Sequence, residues 1–236
     1  MRGVILRTAV PGWPKRTPRY GWAARIFNLF AGVLAAALYA AAAAADDPKL
    51  VVAFGDSLSA GYGLSEADAF PAQLEGALAA LGVTATVVNA GVSGDTTAGG
   101  LARLDWTLPE AADLVIVELG SNDGLRGLDP EKTGANLDAI LTRLDERGFT
   151  ALLAGMLAPP NLGPEYGATF NAIYPALAEK HDVVLYPFFL DGVAAVPALN
   201  QADGIHPNVD GVAIIVERLA PYVVEALARG QAGGGT

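Results

Sequence analysis

Ser57, His206 and Asp203 are the residues of this chain whose types and spacing could run nucleophilic chemistry. Ser57 stands in Gly55-Asp56-Ser57-Leu58, at the end of an apolar run, while Asp203 and His206 lie three residues apart in Asp203-Gly204-Ile205-His206. A serine hydroxyl is a weak nucleophile until a neighbouring base takes its proton. An imidazole serves as that base when a carboxylate fixes its tautomer and stabilises the imidazolium that forms. The only other histidine, His181 in Glu179-Lys180-His181-Asp182, has the surroundings of a helix end before a strand, which leaves His206 as the expected base. Two further islands, Gly91-Val92-Ser93-Gly94 and Gly120-Ser121-Asn122-Asp123, offer donors for the oxyanion that attack on an acyl carbonyl creates. Gly94 can present a backbone N–H with no Cβ in the way, Asn122 a side-chain amide, and Ser57 its own N–H. Singly, each island has a plainer use: a turn with a helix cap, a capping aspartate beside a surface histidine, a positive-φ glycine, a loop-capping asparagine. Their conjunction, in this order after successive strand-like runs, favours catalysis.

The elements that must position these residues follow from hydrophobic patterning. Apolar runs at 50–54, 84–88, 114–118, 151–155 and 183–186 are predicted strands, and helical spacing falls at 70–81, 96–106, 130–147, 167–180 and 209–227. Continuous apolar strands separated by helices imply a parallel sheet covered on both faces, a three-layer α/β/α sandwich. Ligands of such sheets bind outside the carboxyl ends of the strands. Ser57, Gly94 and Asn122 each follow a predicted strand and so share that rim, and Asp203 and His206 must fold back to it.

Composition bounds the rest. Residues 1–45 carry six basic and no acidic side chains, then an apolar run from 26 to 45 ending in alanines: the pattern of an export signal peptide, with an uncleaved anchor as the rival, since 20 residues also suffice to span a bilayer. Residues 46–229 form the expected single domain and the glycine-rich 230–236 a frayed tail. Beyond residue 45, nine basic face 25 acidic side chains, a formal charge of −16 that repels nucleic acid and anionic membranes. With its leader cleaved, the domain is expected to have no stable membrane association. There is no Cys, so disulfides, thiolate metal sites and cysteine nucleophiles are excluded, and two histidines make a transition-metal site unexpected. Neither a Gly-x-Ser-x-Gly elbow, a phosphate-binding Gly-x-x-x-x-Gly-Lys loop, a His-Glu-x-x-His helix nor a dinucleotide fingerprint occurs. No cofactor and no metal are expected. Nothing in the sequence assigns an oligomeric state.

The chain resembles the SGNH (GDSL) hydrolase superfamily, on Gly-Asp-Ser-Leu-Ser-Ala-Gly-Tyr-Gly from Gly55, Asn-Ala-Gly-Val-Ser-Gly-Asp-Thr-Thr from Asn89, Glu-Leu-Gly-Ser-Asn-Asp from Glu118 and Asp-Gly-Ile-His-Pro-Asn from Asp203. Within it, the blocks look like those of bacterial periplasmic thioesterase, lysophospholipase and arylesterase enzymes, with similarity over residues 50–227. The resemblance implies a flavodoxin-like five-stranded sheet of order 2-1-3-4-5, a cofactor-free mechanism, and small acyl esters or thioesters as substrates. It implies Ser57 as nucleophile, the Asp203–His206 pair as base, and Ser57, Gly94 and Asn122 as the oxyanion hole. It also implies a mobile loop after the Asn block, at 124–130. Tyr62, Leu125 and Leu157 are the expected apolar lining of an acyl pocket. A carbohydrate O-deacetylase on the same scaffold and a non-catalytic binding protein are the rival readings.

Overall fold

The computed structural model describes residues 47–233. The expected leader, 1–45, and the last three residues of the expected tail lie outside the described residues. Five strands, β1 (Lys49–Gly55), β2 (Ala85–Asn89), β3 (Leu114–Glu118), β4 (Ala151–Ala154) and β5 (Val184–Tyr186), pair in parallel in the order β2-β1-β3-β4-β5. That is the sheet order the sequence resemblance implies. β3, at the centre, is buried at every position, as a strand covered on both faces must be. Helices α1 (Ser57–Ala60), α2 (Phe70–Ala80), α3 (Thr97–Thr107), α4 (Ser121–Leu125), α5 (Pro130–Glu146), α6 (Pro164–Asn171), α7 (Ile173–His181) and α8 (Val209–Gly233) fill the connections. Phe54, Ile116, Leu119 and Leu137 are among the fully buried side chains of the resulting core.

Local chemistry sets where helices begin. The Thr96 hydroxyl accepts from the Gly99 N–H at the start of α3, and the Asp129 carboxylate accepts from Glu131 N at the start of α5, where Pro130 has no N–H to waste. The helix expected over 167–180 is instead two, α6 and α7, meeting at Ala172. Pro175 explains the break, because it cannot donate to the Asn171 carbonyl four residues back and its ring crowds that carbonyl. α8 runs past the expected end at 227 to Gly233, so residues 230–233 of the expected tail are helical. Among the described residues no helix is long and apolar enough to cross a membrane.

Strand register brings three of the four sequence islands to one rim. Gly55 at the end of β1 pairs with Glu118 at the end of β3, and Ala53 pairs with Asn89 at the end of β2. The connection from β5 to α8 returns to the same rim: Gln201 lies outside any strand, its backbone N–H donates to the His206 carbonyl at 2.7 Å, its carbonyl accepts from Gly204 N, and its side-chain amide donates to the Tyr62 and Pro207 carbonyls. Asn208 then caps α8 by accepting from Gly211 N.

Candidate active site

The turn from β1 into α1 is built around a buried acid. Glu118 is fully buried, and its Oε2 accepts from the Asp56 N–H (3.3 Å), the Ser59 N–H (3.2 Å) and the Ser59 hydroxyl (2.7 Å). Its Oε1 has no partner. Burial, then the neighbouring Asp56 charge, push this carboxyl well above the usual range, which favours the neutral acid. Gly55 is required here, since a Cβ would run into the Glu118 side chain and backbone.

Asp56, also fully buried, ties the turn carrying Ser57 to the segment carrying Asn122. Its Oδ1 accepts from Leu58 N at 3.0 Å, and its Oδ2 accepts from the Ser121 hydroxyl at 2.6 Å and from Asn122 Nδ2 at 3.0 Å. Burial raises its carboxyl, and those three bonds pull the other way. From the opposite side Arg103, 6 % exposed, donates to the carbonyls of Gly55 (2.8 Å) and Ala90 (2.9 Å) and pairs with Asp95 at 2.7 Å. One guanidinium thus fixes the ends of two strand loops. Its buried charge is met by a carboxylate, two carbonyls and the face of Phe54, 4.1 Å away.

Ser57 opens α1 and is buried to 8 % exposure, its Oγ 2.9 Å from His206 Nε2. His206 Nδ1 lies 2.7 Å from Asp203 Oδ2. Since the carboxylate can only accept, Nδ1 carries the hydrogen and Nε2 is left as acceptor for the Ser57 hydroxyl. Asp203 Oδ1 accepts from the backbone N–H groups of Ile205 (2.9 Å) and His206 (3.0 Å). The bond from His206 and these two backbone donors hold the Asp203 carboxyl at about 2, below the usual range. Asn122, Ser57 and His206 line one cleft of about 610 Å³, whose walls include Leu125, Leu157 and Phe188.

Gly94 sits at the third position of a turn closed by Asp95 N to Val92 O, at φ +82°, a conformation that favours glycine. It does not line the cleft itself, but its carbonyl accepts from Arg126, which also reaches Asn122. Gly120 takes φ +114° over the Tyr174 hydroxyl, which would collide with any Cβ there while donating to the Leu119 carbonyl. Among the expected lining residues, Leu125 and Leu157 face the cleft. Tyr62 does not; its ring packs on the His206 imidazole at 4.5 Å between centroids. His181 bonds Asp138 on α5, away from the cleft. The expected loop 124–130 is tied by Leu128 N to Asp123 O and by the Tyr166 hydroxyl to Leu128 O. Glu118, Arg103 and Arg126 went unassigned in the sequence; a lone acid closing an all-apolar strand, as Glu118 does, was the available signal.

A serine hydroxyl, an imidazole and a carboxylate bonded in series at the carboxyl rim of a parallel sheet define the class of serine hydrolases. Residues 53–214 match the GDSL-like Lipase/Acylhydrolase family, and the chain belongs to it. It is 42% identical over 194 residues to Esterase TesA of Pseudomonas aeruginosa, covering 82% of this chain and 95% of that one. It is 44% identical over 179 residues to Thioesterase 1/protease 1/lysophospholipase L1 of Escherichia coli K12, covering 75% and 84%. The solved structure of AlinE4, an SGNH-hydrolase family esterase, superposes with TM-score 0.65 at 49% identity over 77% of this chain and 97% of that chain.

Proposed function

We propose that this carboxylic ester hydrolase cleaves small acyl esters and thioesters through an acyl-enzyme on Ser57. The observation that carries it is the bonded series Asp203–His206–Ser57 opening onto the apolar cleft. His206 Nε2 takes the Ser57 proton as Oγ attacks the acyl carbon. The carbonyl oxygen becomes an oxyanion, met by the Asn122 amide, the Gly94 N–H and the N–H of Ser57, which opens a helix and has no intrahelical acceptor. Collapse breaks the bond to the alcohol or thiol, which leaves with the proton His206 holds. Water then gives its proton to His206, attacks the acyl carbon and releases the acid and Ser57.

Besides the His206 imidazole, Phe188 is the only aromatic side chain lining the cleft among the described residues, which favours aliphatic acyl groups over stacked sugars. Residues 1–45 have the composition of an export leader, and on that composition we place the enzyme outside the cytoplasm. Ser57→Ala tests the mechanism. The variant keeps its fold by circular dichroism, loses turnover of a nitrophenyl ester by roughly 10³-fold or more, and no longer takes a fluorophosphonate label. Near-normal turnover would remove Ser57 as nucleophile.

A further inference from the structure

We infer that Arg126 is a positioning residue that orients the Asn122 amide for the oxyanion. Among the described residues nine side chains are basic, and seven of them pair with a carboxylate within 4 Å. Arg126 does not. Its Nη2 donates to the Gly94 carbonyl at 2.9 Å and reaches the Asn122 Oδ1 at 3.4 Å. In a surface this acidic, an arginine spent on two neutral carbonyl oxygens, both on proposed oxyanion residues, has a use other than an ion pair.

The chemistry of the amide makes the arrangement directional. Asn122 Nδ2 donates to the buried carboxylate oxygen of Asp56 at 3.0 Å, so one amide hydrogen is committed and the second is free to point into the cleft. With the amide turned over, its oxygen would face the Asp56 carboxylate and its NH₂ would face the guanidinium, setting acceptor against acceptor and donor against donor. Asp56 holds one end of the amide and Arg126 the other. Because the same nitrogen holds Gly94, it also sets the spacing between the loops after β2 and β3, from which two of the three oxyanion donors come. Lysine would be a poor replacement, since its ammonium lacks the fixed planar geometry of the guanidinium.

The inference rests on Asn122 being an oxyanion donor, and a double-mutant cycle separates the two claims. kcat and KM for a neutral nitrophenyl ester are measured for the unaltered enzyme, Arg126→Ala, Asn122→Ala and the double variant. Arg126→Ala lowers kcat about tenfold with KM nearly unchanged, the size expected when a catalytic group is displaced by a fraction of an ångström. In the Asn122→Ala background, removing Arg126 costs at most about twofold, because the group it orients is gone. Arg126→Lys falls between Arg126→Ala and the unaltered enzyme. An equal loss in both backgrounds, a rise in KM alone, or no loss at all would overturn the role of Arg126 while leaving Asn122 as a donor. A single Asn122→Ala variant with unaltered kcat would instead overturn the oxyanion assignment itself, and the inference with it. Arg126 is on the surface, so loss of fold is not expected, and matched thermal melts of all five proteins establish that the kinetic differences are not unfolding.

Discussion

At the scale of single residues, Asp203 is the member of the series whose charge can be followed. Its carboxyl is held at about 2 by the His206 ring and two backbone N–H groups, so it stays an anion throughout the range in which the enzyme can work. With its folded value depressed, the stability it supplies is present above the ordinary carboxylate range and is lost as pH falls toward 2. That anion keeps the hydrogen on His206 Nδ1 and leaves Nε2 as the acceptor that Ser57 needs. Asp203→Asn keeps the size of the side chain but removes both the anion and the preference for hydrogen on Nδ1. We expect kcat/KM to fall roughly 10³–10⁴-fold. Hydrolysis of a nitrophenyl ester at neutral pH checks it; a variant at full rate would show that Asp203 neither orients nor stabilises His206.

At the scale of elements, the turn between β1 and α1 stores the cost of its own geometry in Glu118. Three donors converge on one of its oxygens, the other has no partner, and burial favours the protonated form. Because the folded carboxyl lies above its unfolded value, the folded state binds more protons, and stability falls as pH rises from the ordinary carboxylate range toward the raised value. Glu118→Gln keeps an oxygen for the three donors and cannot ionise, so its melting temperature should decline less than that of the unaltered protein as pH rises above the ordinary carboxylate range. Parallel slopes would mean that Glu118 does not titrate differently on folding. Elements of this kind also show what was legible beforehand. The five strands were readable from apolar runs, Ser57, Gly94 and Asn122 as special residue types in the segments after three of them, and Asp203 and His206 as a pair ahead of the last helix. The long-range partners of Glu118, Arg103 and Arg126 were not: Asp56 lies 62 residues from Glu118, Gly55 48 from Arg103 and Gly94 32 from Arg126, so these bonds form only when the sheet register closes. The cleft wall contributed by residues 156–160 and 188–195 carries no periodic pattern to read. The division of α6 from α7 was readable in Pro175, which a helical pattern alone passes over.

At the scale of the whole molecule, charge and cleft act on different steps. The cleft walls are mostly apolar, so the acyl group of the proposed substrates would be held there by contact, an interaction that salt scarcely alters. Charge acts earlier, on encounter. Beyond residue 45 the chain carries −16, and most of its cations are already paired with carboxylates, so the field met by an approaching substrate is negative. An ester bearing a carboxylate or sulfonate is repelled before it reaches Ser57, and added salt screens that repulsion over a Debye length that shrinks from about 30 Å at 0.01 M to about 3 Å at 1 M. We therefore expect kcat/KM for an anionic ester to rise with ionic strength while that for a neutral ester of the same acyl group stays nearly flat, with kcat little changed for either. The intact mass of the purified protein belongs in the same experiment, because retention of residues 1–45 would add six cations and weaken the effect. If the leader is absent and the two esters still respond identically to salt, the acidic surface does not govern substrate approach, and selectivity must arise wholly inside the cleft.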